Sequence, residues 1–118
     1  MTHLLIIIYL LTVPTDGQLT INDAQMLIEN TQDFLEAKSR NRCPQAEVLW
    51  SGERDIGFQI RNRCTKSPSG LIGNYVVDRR TAAVWVGIDR DQLVQSKRLR
   101  DLQRALLKRI RDGQERKD

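Results

Sequence analysis

Histidine is nearly absent from this 118-residue chain: the only one, His3, stands among the first few residues. A domain that loses its N-terminus therefore has no imidazole for acid–base catalysis or a multi-histidine metal site. Cysteine occurs twice and aromatic residues make up only 5%. No apolar run reaches the roughly 20 residues that a membrane-spanning helix needs. Ser67 and Ser69 lack a histidine partner, and no phosphate-binding glycine pattern occurs. Asp89 and Asp91 form an Asp-x-Asp without the glycine and distal glutamate of a calcium loop, and are expected to cap the final helix. By elimination the chain is expected to be no enzyme and to carry neither cofactor nor metal.

What remains is an ordinary globular balance for one domain, 40% hydrophobic and 29% charged, with 19 Lys or Arg against 15 Asp or Glu for a net +4. Leu4 to Val13 is ten positions without a charge, the length of the apolar region of a secretory signal peptide. Pro14 follows it, and Thr15 and Gly17 are small residues at the third-last and last positions before Gln18. Residues 1–17 are therefore expected to be a signal peptide for a secreted or periplasmic protein, leaving a domain of residues 18–118. The n-region lacks Lys and Arg, and a buried first strand is the alternative, since Ile6 to Tyr9 have strand propensity.

Thr20 with Asp23 three residues on resembles a capping box, and Ile21, Ala24, Leu27, Ile28, Thr31, Phe34 and Leu35 follow helical spacing, predicting one helix to about Ser39. Four strands are expected next: Ala46 to Trp50, Ile56 to Cys64, Leu71 to Asp78 and Ala82 to Ile88, in two hairpins. In the second hairpin, turning at Arg79-Arg80, pairing Tyr75 with Val84, Val77 with Ala82, Gly73 with Val86 and Leu71 with Ile88 makes one face apolar throughout. Ile72, Asn74, Val76 and Trp85 then share the other. A basic helix over residues 96–112 closes the chain, with Leu99, Leu102, Leu106 and Ile110 on one stripe and Gly113 as its cap. The expected fold is α+β: an N-terminal helix on a four-stranded antiparallel sheet, with a C-terminal helix.

The run Tyr75-Val76-Val77-Asp78-Arg79-Arg80-Thr81-Ala82-Ala83-Val84-Trp85 resembles the strand-turn-strand of secreted PepSY-like and cystatin-like domains. There an Asp, two polar residues and Thr-Gly lead into a strand with an aromatic residue; Ala82 stands here in place of the glycine. The likeness covers Leu71 to Ile88 and the long helix before the sheet. It implies a cystatin-like two-layer fold and a non-enzymatic extracytoplasmic module, commonly an inhibitor or regulator of another protein. Nuclear-transport-factor-like immunity proteins share this general architecture. No catalytic motif carries over.

Arg40-Asn41-Arg42-Cys43 and Arg61-Asn62-Arg63-Cys64 are the same tetrapeptide 21 residues apart. Two cysteines in a secreted chain favour a structural disulfide, Cys43 to Cys64. A symmetric first hairpin places them opposite each other but sets Val48 and Trp50 on the face opposite Phe58 and Ile60. A bulge, with the bridge just outside the ladder, reconciles the two. Bridging would gather Arg40, Arg42, Arg61 and Arg63 at one end of the sheet, as an anion site or as a solvated cluster. Lys97, Arg100, Arg104, Lys108 and Arg111 form a second basic array, either solvated or facing an anionic surface. No aromatic residue falls between Asp89 and Asp118, which disfavours nucleic acid. Trp85 with Asn74 and Ile72, and Trp50 beside them, lie on a sheet face that is either open to a partner or covered by the last helix. The first expectation is a protein-binding module, of inhibitor or immunity type, using that face or the arginines. A polyanion or anionic-membrane-surface binder acting through the basic helix is the alternative.

Overall fold

The computed structural model describes residues 17–65 and 70–117, so the expected signal peptide lies outside the described residues except for Gly17. The elements are α1 (Ile21–Ile28), α2 (Gln32–Ser39), β1 (Pro44–Ser51), β2 (Asp55–Asn62), β3 (Leu71–Asp78), β4 (Val84–Val86), β5 (Gln92–Leu93) and α3 (Lys97–Lys117). The strands are antiparallel and adjacent in chain order, β1-β2-β3-β4-β5. The class is α+β as expected, with one strand more than expected and the N-terminal helix in two pieces. Among the described residues no helix is long and apolar enough to cross a membrane.

Thr20 and Asp23 cap α1 reciprocally: each side chain accepts the other's backbone N–H, both at 3.1 Å. The helical spacing continues past Ile28, yet the helix stops there because Thr31 takes over. Its hydroxyl donates to the Ile28 carbonyl at 2.7 Å and accepts from the Phe34 amide at 3.4 Å, ending one helix and starting the next. With ψ at 154° Thr31 is extended and buried, so both halves keep their apolar side on the sheet.

Ile56, Phe58 and Ile60 of β2 point to one face with Tyr75 and Val77 of β3 and Val84 of β4. Leu19, α1 (Ala24, Leu27, Ile28), α2 (Phe34) and α3 (Leu99, Leu106) complete the same cluster, so all three helices cover one face of the sheet. The β3–β4 register is slid by two residues from the expected one, pairing Tyr75 with Val86, Val76 with Trp85 and Val77 with Val84. A slip of two leaves the paired side chains, Tyr75 to Val77 and Val84 to Val86, on their predicted faces. The slip comes from the turn, which spans five residues instead of two. Asp78 Oδ1 accepts from the Arg80 and Thr81 amides at 2.9 and 3.0 Å, and Ala82 takes φ +63°. Glycine adopts that left-handed backbone more readily than the alanine that stands there.

Arg79 clasps three segments at this end of the sheet. Its side chain donates to the carbonyls of Leu19 at 3.0 Å and Gly52 at 2.7 Å, and its amide to Arg54 at 2.9 Å. At the other end Cys43 and Cys64 stand as a disulfide pair with Cα atoms 5.4 Å apart, one step beyond the last ladder pair, Pro44 with Asn62. The bulge falls at Leu49, between Val48 and Trp50.

α3 begins at Ser96, whose hydroxyl accepts from the Leu99 amide at 3.2 Å, rather than at Asp89 or Asp91. It runs through Gly113 to Lys117, so Gly113 is no cap. Gly17 lies so close to the Gln114 side chain that a Cβ there would sit 1.9 Å from its amide nitrogen. Two contacts fix the rotation of α3: Arg109 to Asp23 at 2.6 Å and Arg98 to Asn30 at 2.9 Å. Burial alone would raise the Asp23 carboxyl, but the hydrogen bonds from Arg109 and Thr20 and the Arg109 charge hold it below the usual carboxylate range.

Asp23→Asn is expected to lower stability at neutral pH by about 2 kcal/mol, read by urea denaturation. Because the carboxyl titrates lower folded than unfolded, its contribution is complete above the unfolded value near ~4 and is lost as pH falls through the folded value. The gap between wild type and Asp23→Asn should therefore close progressively below about pH 4. Replacing both Cys43 and Cys64 by serine should cost about 3 kcal/mol in the same assay, with the fold retained.

Candidate functional site

Opposite the helices, the sheet carries a row of residues in direct register across all five strands: Trp50, Gly57, Val76, Trp85 and Leu93. At roughly 4.8 Å between strands the row is about 19 Å wide. Gly57 makes it possible, since a Cβ there would lie 2.3 Å from the Trp50 ring. The indole lies flat over the strand and donates Nε1–H to Asp55 Oδ1 at 3.0 Å. Val76 is 1% exposed, and the three described helices pack on the other face of the sheet. Trp50 and Trp85 are half-buried and Leu93 is 36% exposed. The bulge at Leu49 puts Trp50 here rather than on the Phe58 side, because the extra residue shifts the alternation by one.

Polar groups border the row on both sides. On one, Asp55 pairs in register with Asp78, and Arg90 reaches Asp55 Oδ2 at 3.0 Å. Burial would raise the Asp78 carboxyl, but the Thr81 and Arg80 amides, the Thr81 hydroxyl and the Arg90 charge hold it below its ordinary value. On the other, Glu47, Gln59 and Asn74 form the next row. Asn74 is thus beside Trp85, whereas Ile72 is not. A register shift at Ile60/Arg61 turns Ile72 to the helix side, where it packs against the core and borders α2. The predicted trio of Trp85, Asn74 and Ile72 is therefore divided by the sheet.

The four arginines are divided too. Arg40 pairs with Glu36 at 2.9 Å, and with Arg42, Asp33, Ala37 and Ile72 it lines a shallow depression of about 200 Å³ on the helix side. Arg61 lies against the Gln59 amide, whose oxygen accepts from it, and Arg63 pairs with Glu47 and donates to Gln45 Oε1 at 3.1 Å. Cross-strand pairing to acids and amides already present removes much of the expected excess charge at this end. Lys97, Arg100, Arg104, Lys108 and Arg111, by contrast, are all exposed, and Arg104 pairs with Asp101 at 4.0 Å.

Sequence reasoning passed over a cleft of about 480 Å³ between the start of α2 and the β4–β5 edge, lined by Gln32, Asp33, Tyr75, Gln92 and Leu93 among others. The Tyr75 hydroxyl donates to Asp33 Oδ2 there. Burial, then the Asp33 hydrogen bond and charge, push the phenol above its ordinary value, so it stays protonated and acts as a donor. β5 itself was missed because two residues show no alternation. The left-handed backbone at Gly87 and Arg90, which closes the turn before it, was the available signal. Among the described residues no three His, Cys, Asp or Glu side chains group as a metal site. No protein-family model, curated protein or solved structure matches the chain.

Gly57→Ala should force the Trp50 ring off the strand and break its hydrogen bond to Asp55. A red-shifted tryptophan emission with an unchanged far-ultraviolet circular dichroism spectrum is the expected result.

Proposed function

We propose that the protein is a non-enzymatic, secreted or periplasmic module that binds another protein through the open face of its sheet, in the manner of an inhibitor or immunity-type regulator. The single observation carrying this is the five-strand apolar row, flanked by polar groups and left uncovered by the three helices. Two half-buried tryptophans, Trp50 at the β1 end of the row and Trp85 within it, are of the residue type from which interface hot spots are made. Its polar borders, Asp55, Asp78 and Arg90 on one side and Glu47, Gln59 and Asn74 on the other, fit a partner that presents an apolar strip with hydrogen-bonding groups on both flanks.

An extracytoplasmic compartment is supported by the Cys43–Cys64 pair, since such bridges persist where thiols are oxidised. The PepSY-like or cystatin-like two-layer relationship belongs to the same proposal. Helices preceding the sheet and lying on one of its faces support it; the split first helix and the fifth strand depart from the expected pattern. The role proposed is recognition without turnover.

The test is affinity capture from the extracytoplasmic fraction of the source cells, comparing wild type, Trp85→Ala and Arg111→Gln. A protein held by wild type and Arg111→Gln but weakened about thirtyfold or more by Trp85→Ala is the expected outcome, corresponding to a hot spot of about 2 kcal/mol. Melting temperatures should differ little, because Trp85 is not part of the helix-covered core. Equal capture by wild type and Trp85→Ala would remove the open face from the function.

A further inference from the structure

Residues 97–118 hold nine Lys or Arg and four Asp or Glu, a net +5, while the 96 residues before them hold −1. The basic character of the whole protein therefore resides in α3. Among the described side chains the cations divide into two groups. Arg109 and Arg98, themselves exposed, reach across to Asp23 and Asn30 and orient the helix. Lys97, Arg100, Arg104, Lys108 and Arg111, spaced three or four residues apart, form one exposed line. At about 1.5 Å per residue the line is roughly 21 Å long. Among the described side chains the ion pair on this line is Arg104 with Asp101, exposed and 4.0 Å apart, too weak to neutralise it.

We propose that this line docks the protein onto an anionic phospholipid bilayer surface, with α3 lying parallel to the membrane and the tryptophan row facing away from it. This stands apart from the protein-partner reading and uses the opposite side of the molecule. A planar field of diffuse phosphate charge is the complement of evenly repeated cations on a straight helix, since it demands no register and no anchor residue. The helix cannot insert. Its apolar side is committed to the core through Leu99 and Leu106, with Leu102, Leu107 and Ile110 packed against them. A nucleic acid is the poorer complement. The described part of α3 has no aromatic residue for stacking, and its Gln103 amide is occupied, donating to the Ala82 carbonyl at 2.7 Å.

The experiment is co-sedimentation of the full chain with vesicles of phosphatidylglycerol and phosphatidylcholine, with vesicles of phosphatidylcholine alone, and filter binding to duplex DNA. Attachment through the apolar residues 4–13 would be indifferent to lipid charge, so the neutral vesicles isolate the contribution of the stripe. Binding should require phosphatidylglycerol, fall steeply with added salt, and exceed DNA binding. Each cation removed should weaken it about fivefold. The variant with Lys97, Arg100, Arg104, Lys108 and Arg111 all changed to Gln should therefore lose about a hundredfold or more, and the milder Arg104→Gln, Lys108→Gln pair about twenty-fivefold. The exposed set Arg42→Gln, Arg54→Gln, Arg80→Gln should lose far less than the stripe variant; circular dichroism checks the fold of each.

Trp50 and Trp85 are the only tryptophans, so fluorescence reports the open face alone. While bound, their emission should not be quenched by lipids brominated on the acyl chains. Absence of phosphatidylglycerol-dependent binding, an unchanged affinity in both stripe variants, quenching of the tryptophans, or tighter binding to DNA than to vesicles would each overturn the proposal.

Discussion

The apolar side of α3 can be buried in only one place, and most of the molecule's surface follows from that. Leu99 and Leu106 close over a core already started by Leu19, Ala24, Leu27 and Ile28 on the Ile56, Phe58 and Tyr75 face of the sheet. Burial of that stripe sets which side of the helix meets the core. The Asp23–Arg109 contact, linking the first helix to the last across 86 residues of sequence, reinforces that rotation. Five cations on the opposite side then face outward, and all three helices lie on the same face of the sheet. Two surfaces of different chemistry are thus produced by one packing event: a cationic ridge on the helix side and an aromatic row on the sheet side.

Local chemistry was legible wherever one or two residues decide the geometry. Thr20 and Asp23 cap α1 as their spacing implies, the alternation in β2 marks its buried face, and the turn after Asp78 depends on that carboxylate. The conflict between a symmetric first hairpin and its apolar pattern also had a readable solution, a bulge that the structure places at Leu49. Other features depend on partners distant in the chain. Thr31 satisfies helical spacing, and only its hydroxyl, bonded to Ile28 and Phe34, reveals that it divides the helix. Ile72 changes face because it is itself the extra residue of a bulge against β2, between the pairs Gly73 with Ile60 and Leu71 with Arg61, which the alternation within β3 does not announce. The arginines beside the cysteines look crowded in one dimension, yet the sheet separates them and supplies Glu36 and Glu47 as counter-charges.

The open face is rigidly presented. The β1–β2 hairpin is held at one end by the Cys43–Cys64 pair and at the other by Arg79, which binds the Gly52 and Leu19 carbonyls. Trp50 is fixed by its ring resting on Gly57 and its nitrogen held by Asp55. Little conformational freedom is left for a partner to remove, and it is the ordering of loose groups that ordinarily subtracts most from the affinity of a surface of this size. A face that is apolar yet stiff also resists the strand slippage that makes exposed aromatic sheets aggregate.

Gly17 touching Gln114 has a topological consequence. Gly17 and Gln114 meet at one corner of the domain, on the helix side near the far end of α3. A second domain fused directly at residue 17 would start from that corner, away from the tryptophan row. Joining residue 17 to the end of α3 by a short linker would close the chain into a circle with little rearrangement. New ends could then be opened elsewhere, for instance in the loop between β2 and β3, without loss of the sheet order.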